Sequence, residues 1–368
     1  MNIIEKIMNL WRHRGQKALP EAQMINSQNK NRKYILQINN NSQPTKLDME
    51  IDNFLKAYSN IIENVDEAQP INTTKMAYDA LVTMQGKEPT QEEYQNNDYM
   101  EQELLKRLYS EKKYNIQYQG TKERTVFYHI KSKGYEMPQF ENMLRLYINC
   151  NNGNISELSN LILSCNQNPN FYMKFISNEA NDIKPRGEKI VIYCDKNEVD
   201  NTMQLIRYTK SIRPDLYTES ENVLPFLQNI DNTVSISKQP STNQFKDLYG
   251  NYKTIAQSTN SFLSMTLKES YMEAAKEIAR ADTDLSFLLQ DECINDEYLY
   301  MKNYPYINSK YHDYLIQSME AKMAILAINN NLYIDGIPQQ YLQDRGDEEK
   351  EKQSILEKNL ERKNQIWK

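Results

Sequence analysis

Residue types that commonly hold metals and nucleotides are scarce in this chain of 368 residues, which has only 9 Gly, 3 His and 4 Cys. No phosphate loop of the form G-x-G-x-x-G or G-x-x-x-x-G-K-[ST] is present. The four cysteines are widely spaced without a C-x-x-C pair, so zinc is not expected, and such sparse thiols suit a reducing cytoplasm. We therefore expect no metal and no cofactor, and we expect any catalysis to use Lys, Arg, Tyr and carboxylates.

Charge and hydropathy disfavour two broad classes of partner. Lys and Arg number 44 against 50 Asp and Glu, and the net charge of -6 argues against a nucleic-acid binder. No segment has the roughly 18 consecutive apolar residues that a membrane-spanning helix needs. Residues 1–11 predict a short amphipathic helix that packs on the rest of the chain. The 39% of hydrophobic residues and the 26 Tyr still allow a core.

Four parts of the chain differ in their sequence pattern. Residues 1–113 combine a polar arm with helices, and the first apolar stripe comprises Ile51, Phe54, Leu55, Tyr58 and Ile62. Residues 114–300 form the candidate catalytic domain. Residues 301–346 are a C-terminal helical extension, and 347–368 are a charged tail.

Strand and helix patterns intermix between residues 114 and 300. The predicted strands are Arg124–Ile130, Leu144–Cys150, Phe171–Ser177 and Lys189–Cys194. The predicted helices are Ile155–Cys165, Val199–Ile212, Gln244 to about Leu267, and Glu269 to about Ala281. Clustered strands among helices favour an α+β fold, with a mainly antiparallel sheet flanked by helices, over a doubly wound sheet.

Two of the predicted strands each carry a cation beside a tyrosine on one face. Because successive side chains point to opposite faces, Arg145 and Tyr147 share a face, as do Tyr172 and Lys174. If the two strands pair, these side chains converge on one surface, which Arg186 could reach from the following loop. Such a cluster is suited to bind an anion, most naturally a phosphate. An ordinary solvent-facing sheet surface with scattered Lys and Arg fits the same spacing.

The order of several short motifs resembles the HopA-type family of bacterial type III effector-like proteins. The motifs are R-x-Y-x-N from Arg145, Y-x-K-F from Tyr172, R-x-x-x-I-V-I-Y from Arg186, the segment Leu224–Phe226, and Y-G-x-Y-K-x-I-A from Tyr249. The resemblance covers about 150 residues, from Phe127 to Ile278. The family is related in fold to phosphothreonine lyases. Similar domains act as lyases in lanthipeptide-like and thioamide-containing peptide biosynthesis, where a separate kinase first phosphorylates Ser or Thr.

The resemblance implies roles for individual residues in the β-elimination of phosphate. Lys174 matches the base that takes the Cα proton, and Arg186, twelve positions later, matches a phosphate-binding arginine. Arg145 matches a cation that steadies the enolate, and Tyr172 is expected to position the substrate. A lysine base requires a lowered pKa, which burial or neighbouring cations can provide.

Two positions depart from the family pattern. Tyr147 stands where the family has a general-acid His, and a Tyr with a reference pKa near 10 is the weaker acid. His129 on the preceding strand is an alternative acid, although a lone His is more often structural. Lys253 stands where a later phosphate-binding Arg is expected, and it lacks the bidentate geometry of Arg. An ordinary exposed lysine on the predicted helix explains Lys253 equally well.

The resemblance implies a cytoplasmic phospho-Ser/Thr lyase that converts a phosphorylated peptide or protein to dehydroamino acids. The expected setting is modified-peptide biosynthesis, with a separate kinase as a partner. Two alternatives stay open. One is a catalytically degenerate module that binds a phosphopeptide or leader peptide, which the replacement of His by Tyr147 favours. The other is an effector that is injected into a host and acts by binding a host protein.

Overall fold

The structure is a computed structural model that describes residues 44–68, 70–121, 125–181, 186–220 and 223–336. The predicted amphipathic helix at 1–11, nearly all of the polar arm and the charged tail lie outside the described residues. Among the described residues, no helix combines the length and the hydropathy that a membrane crossing requires.

Helices and strands follow one another in a mixed order along the described residues. The α-helices are α1 (Lys46–Glu63), α2 (Thr73–Gln85), α3 (Gln91–Glu111), α4 (Ile155–Cys165), α5 (Asn178–Asn181), α6 (Val199–Ile212), α7 (Thr259–Ala281), α8 (Glu297–Lys302) and α9 (Tyr304–Asn330). The strands are β1 (Tyr114–Gly120), β2 (Thr125–Ser132), β3 (Met143–Ile148), β4 (Tyr172–Ile176), β5 (Ile190–Asp195), β6 (Gln228–Asp231), β7 (Val234–Lys238), β8 (Gln244–Lys246) and β9 (Tyr252–Thr254).

The first seven strands form one sheet in the order β1-β2-β4-β5-β3-β7-β6. Each described pairing between neighbouring strands is antiparallel. β8 and β9 form a separate two-stranded antiparallel sheet. The predicted α+β fold, with a mainly antiparallel sheet flanked by helices and a helical N-terminal region, is therefore confirmed.

Helices cover both faces of the large sheet and create two hydrophobic cores. α3, α4 and α6 pack on the face that carries Leu146, Met173 and Ile192. α1, α2, α7 and α9 form the second core with Tyr147 and Val191 from the opposite face. This division follows from the strand pattern, because odd and even residues of one strand point to opposite faces. The second core borders the candidate site.

The first helix shows how the sequence sets this second core. The Thr45 hydroxyl accepts from the N–H of Asp48, whose carboxylate accepts from the N–H of Thr45, and this capping box starts α1. The predicted apolar stripe from Ile51 to Ile62 is at most 2% exposed. Burial of a large apolar side chain contributes roughly 1.5–3 kcal/mol. α1 is thus held to the second core by the residues that its periodicity singled out.

One predicted helix is wrong over its first half. The segment from Gln244 forms the β8–β9 hairpin, and α7 starts only at Thr259. The Asp247 carboxylate accepts from the N–H of Tyr249, and Gly250 adopts a φ of +89°. Side chains that bond the nearby backbone in this way favour a turn over a continued helix.

Candidate anion-binding site

The two predicted cation–tyrosine faces are present and belong to the same face of the sheet. Tyr147 lies in the second core, whereas its neighbour Leu146 lies in the opposite core. Likewise, Tyr172 lies in the second core and Met173 lies in the opposite core. The two strands do not pair directly, because β5 lies between β3 and β4. The convergence therefore spans three strands and not the two that the sequence suggested.

Two rows of side chains cross this face from the β1 edge to the centre of the sheet. The first row, in register across β1, β2, β4, β5 and β3, is Gln117, His129, Lys174, Val191 and Tyr147. The second row is Asn115, Lys131, Tyr172, Tyr193 and Arg145. Directly opposite residues of an antiparallel sheet project to the same side. The register thus brings the predicted residues of β2, β3 and β4 to one surface.

Lys174 forms a buried ion pair that the sequence pattern did not predict. Its Nζ lies 3.3 Å from Oε2 of Glu188, and the two residues are 6% and 5% exposed. The other carboxylate oxygen of Glu188 is buried without a hydrogen-bond partner among the described residues. A buried acceptor that has no hydrogen-bond donor costs free energy.

The charges of this pair stabilise each other. Burial is the largest single influence and disfavours the ammonium form of Lys174, but Glu188, Tyr193 and Tyr147 together outweigh it. The pKa of Lys174 therefore lies above its usual value. Burial likewise disfavours the carboxylate form of Glu188, yet Lys174 and Arg145 hold its pKa below the usual value. The lowered pKa that a lysine base requires is therefore not provided by the ligand-free site.

Arg145 is the second buried cation and is 5% exposed. Its Nε donates to Oε1 of Gln239, and its guanidinium lies 5.1 Å from the centre of the Tyr193 ring. Tyr193 in turn stacks on Tyr172 with 4.2 Å between ring centres. The hydrogen bond and the cation–π contact fix the orientation of the guanidinium. Arg145 and Lys174 carry two positive charges against the one negative charge of Glu188, so these three groups keep a net positive charge.

Arg186 lies at the half-buried margin of the same surface. Its guanidinium is 5.7 Å from the centre of the Phe127 ring, and Nζ of Lys174 is 4.0 Å from that same centre. Nη1 of Arg186 donates to the Tyr78 hydroxyl on α2 at 3.4 Å. Arg145, Lys174 and Arg186 are called the cation cluster below.

Tyr147, which replaces the expected acid, is 1% exposed. Its hydroxyl accepts from Oγ of Ser237 at 3.2 Å. Burial raises the pKa of Tyr147, and the charge of Arg145 offsets only part of this rise. The hydroxyl therefore stays protonated at neutral pH and is available as a weak proton donor.

His129 does not have the protonation state of a general acid. Its Nε2 lies 2.9 Å from Oε1 of Gln119, and its Nδ1 lies 2.6 Å from the Tyr172 hydroxyl. Since Oε1 only accepts, this amide orientation assigns the proton to Nε2, and Nδ1 accepts from Tyr172. Burial and the charge of Lys174 lower the pKa of His129 to about 4. The neutral ring instead orients the hydroxyl of Tyr172.

Lys253 has a partner outside the cation cluster. It lies on β9, and not on a helix as predicted, with Phe245 of β8 as its register partner. Its Nζ pairs with the carboxylate of Glu269 on α7. This ion pair connects the β8–β9 hairpin to α7.

Glu188 was missed because strand alternation does not extend to it. Val191 faces the site, so continued alternation would direct Lys189 toward the site and Glu188 away from it. The chain departs from strand geometry ahead of β5, where a Cβ added to Gly187 would meet Gln85 of α2 at 2.5 Å. Only the glycine between Arg186 and Glu188 hints in the sequence at this close approach.

The site offers cations, one carboxylate and tyrosine hydroxyls for chemistry. Among the described residues, no group of three or more His, Cys, Asp or Glu side chains is placed to hold a metal ion. A separate surface groove of about 550 Å³ lies between α1 and α2, with Ile61 and Met76 in its lining, and includes no member of the cation cluster. The cation cluster is suited to hold an oxyanion and to support proton transfer.

Comparison with known proteins yields a weak likeness in structure. No protein-family model and no curated protein matches the chain. An effector protein from Pseudomonas syringae pv. tomato strain DC3000 is similar with a TM-score of 0.38 and 12% identity, over 61% of this chain and 88% of that chain. An effector protein from Pseudomonas syringae pv. syringae strain 61 also has a TM-score of 0.38, with 15% identity over 59% of this chain and 88% of that chain. At these scores the likeness carries no conclusion about activity.

Proposed function

We propose that this chain is a phospho-Ser/Thr lyase that removes phosphate by β-elimination from a phosphorylated peptide, in modified-peptide biosynthesis. The observation that supports this most is the meeting of buried Arg145 and Lys174 on one face of the sheet, beside Tyr147. A phosphate ester bound there would face fixed cations in surroundings with little water, where electrostatic stabilisation is strong. A separate kinase would supply the phosphorylated substrate.

Each bond change in this reaction has a candidate residue. The neutral amine of Lys174 takes the Cα proton, the Cα–Cβ double bond forms, and the Cβ–O bond to the phosphate breaks. Arg145 stabilises the charge that develops on the substrate carbonyl, and Arg186 binds the phosphate. Tyr147 supplies a proton to the departing phosphate. Phosphoserine would give dehydroalanine, and phosphothreonine would give dehydrobutyrine.

The ion pair with Glu188 sets a condition on this mechanism. Lys174 has to lose a proton before it can act as a base, and Glu188 at 3.3 Å favours the ammonium ion. As long as the pH is below the pKa of Lys174, the fraction of neutral amine increases about tenfold for each unit by which the pH is raised. We therefore expect the rate of elimination to increase with pH across the neutral and mildly alkaline range.

The same ion pair favours a second candidate function, a phosphopeptide-binding module without lyase activity. An ammonium ion and two arginines bind a phosphate well, and binding requires no neutral amine. The tyrosine in place of the expected acid fits this function too. The lyase remains our first proposal, because Tyr147 is buried beside the cations, where a proton donor is required.

Phosphate-dependent binding and elimination by the full chain, measured side by side, separate the two functions. A phosphothreonine peptide and its unphosphorylated twin are titrated by calorimetry, and the products are identified by mass spectrometry. A lyase binds the phosphorylated form and releases a peptide that lacks the elements of phosphoric acid. The Lys174→Ala variant should leave the phosphopeptide intact and bind it more weakly, because one cation is lost and the Glu188 carboxylate is left unpaired. Elimination by this variant would show that Lys174 is not the base.

A further inference from the structure

The two side-chain rows are exposed at their β1 ends, half-buried at β2 and buried toward the centre of the sheet. Asn115, Gln117 and Gln119 of β1 are exposed, and their register places them on the face of the cation cluster. Toward the centre, Tyr147 and Val191 are covered by the second core. A polar sheet surface thus leads from β1, the edge strand of the sheet in the part of the chain that the structure describes, to the buried cations.

The side chains of this surface are suited to hold the backbone of a peptide. An Asn or Gln amide both donates and accepts, as a peptide group does. Hydrogen bonds to the neighbouring strand orient these amides: Oε1 of Gln119 lies 2.9 Å from His129, and Oε1 of Gln117 accepts from Nζ of Lys131 at 3.3 Å. Both bonds leave the amide NH2 groups available to a peptide carbonyl.

The charge next to these amides is positive. Nζ of Lys131 lies 4.9 Å from the centre of the Tyr172 ring, so it adjoins the inner rows. Lys133 of the following turn is exposed. Neither lysine forms a salt bridge with a carboxylate of the described residues. An acidic flank of a phosphopeptide would complement this charge.

We propose that Asn115, Gln117, Gln119 and Lys131, together called the amide shelf, bind the residues that flank the phosphorylated Ser or Thr of an extended peptide. This inference rests on the proposed function, and it names the substrate of the same site. Neighbouring strands lie about 4.8 Å apart, so β1 lies roughly 10 Å from β4. That span corresponds to about three residues of extended peptide, so the shelf contacts positions two to four residues from the phosphoresidue.

The amide shelf is tested by comparing a nine-residue phosphothreonine peptide with a single capped phosphothreonine as ligands of the full chain. The Asn115→Ala/Gln117→Ala variant should bind the peptide about tenfold more weakly, while its affinity for the capped residue stays within about twofold. The control is Gln102→Ala, an exposed residue of α3, the helix that packs on the opposite face. Peptide affinity unchanged within twofold in the double variant would overturn the amide shelf and leave the proposed function standing. Absence of phosphate-dependent binding in the unaltered chain would overturn both.

Photo-crosslinking identifies what occupies the amide shelf. Benzoylphenylalanine is placed at Gln117 or, as a control, at Gln102, and the full chain is irradiated with saturating phosphopeptide. The shelf position should crosslink to the peptide and the control position should not. A crosslink from Gln117 to another part of this chain or to a second copy, in place of the peptide, would overturn the proposal.

Discussion

At the scale of single residues, the Lys174–Glu188 pair affects both the stability of the fold and the protonation state of the proposed base. Removing one partner of a buried ion pair leaves an uncompensated charge and costs about 3–5 kcal/mol, whereas replacing both by apolar groups is often neutral. We therefore expect Lys174→Met to lower the free energy of unfolding by an amount in that range. The Lys174→Met/Glu188→Leu double variant should be more stable than Lys174→Met, as measured by urea unfolding. A double variant less stable than Lys174→Met would contradict the buried pair.

The pH range of this stabilisation follows from the direction of the two shifts. The pKa of Lys174 is raised above 10.5, so its contribution is full below that value and is lost as the pH rises through the folded-state pKa. The pKa of Glu188 is lowered below 4.5, so its contribution is full above that value and is lost as the pH falls through the folded-state pKa. The pair therefore stabilises the fold fully between about 4.5 and 10.5.

The Glu188→Gln variant tests whether the carboxylate of Glu188 raises the pKa of Lys174. Loss of the carboxylate removes the main group that favours the ammonium ion, so the pKa of Lys174 should fall. The measurement is a pH titration of reductively 13C-methylated lysines by NMR, with Lys174→Arg used to assign the resonance. If the protein is a lyase, its pH–rate profile should shift toward acid in the same variant. A Lys174 resonance with an unchanged pKa would show that the pair does not form.

At the scale of secondary-structure elements, Glu101 connects α3, α5 and β2 through hydrogen bonds. Its carboxylate on α3 accepts from the N–H of Asn178 at the start of α5 and from the hydroxyl of Tyr128 on β2. Burial raises the pKa of Glu101 to about 7, despite these hydrogen bonds. The folded state thus favours the protonated carboxyl, and the stability that this provides is present below the unfolded pKa of 4.5 and is lost as the pH rises to about 7.

Glu101→Gln should therefore flatten the pH dependence of stability. Between pH 5 and 8 the unaltered chain should lose roughly 2–3 kcal/mol more unfolding free energy than this variant, because the amide does not titrate. Urea unfolding followed by circular dichroism at several pH values gives the comparison. Parallel pH profiles for the two proteins would contradict the raised pKa.

The loop before β5 depends on a glycine at its point of contact with α2. A Cβ at Gly187 would meet Gln85 and Leu224 at 2.5 Å, whereas a Cβ at Gly134 would lie 3.9 Å from the backbone oxygen of Pro169. Gly187→Ala should destabilise the fold by about 1–3 kcal/mol through this overpacking and weaken phosphopeptide binding by displacing Arg186. Gly134→Ala is the matched control. Equal melting temperatures for the two variants would contradict the close approach.

The sequence predicted the central strands better than their arrangement. Alternation was enough to place Arg145, Tyr147, Tyr172 and Lys174 on shared faces, because the opposite faces of β3 and β4 are apolar. It did not show that β5 separates the two strands, since strand order depends on long-range packing. It also missed Glu188, whose direction is set by contacts of the preceding loop with α2. Both features depend on tertiary contacts, which the local periodicity of the sequence does not encode.

At the scale of the whole molecule, the two helical layers cover the two faces of the sheet differently. α3, α4 and α6 pack against an apolar face. α1, α2, α7 and α9 cover the centre of the other face and bury its cations, while no described helix covers Asn115, Gln117 and Gln119 on the β1 side of that face. The molecule thus joins an exposed polar surface to a buried cationic site, and the proposed function requires this arrangement.

Mass spectrometry of a phosphothreonine peptide after incubation with the full chain tests the proposed reaction most directly. The proposal predicts a product that has lost the elements of phosphoric acid and that adds a thiol, as dehydrobutyrine does. It also predicts faster formation at pH 9 than at pH 7. A peptide that returns as threonine would indicate hydrolysis, and a peptide that stays phosphorylated at both pH values while bound would indicate a binding module. Either result would contradict a lyase.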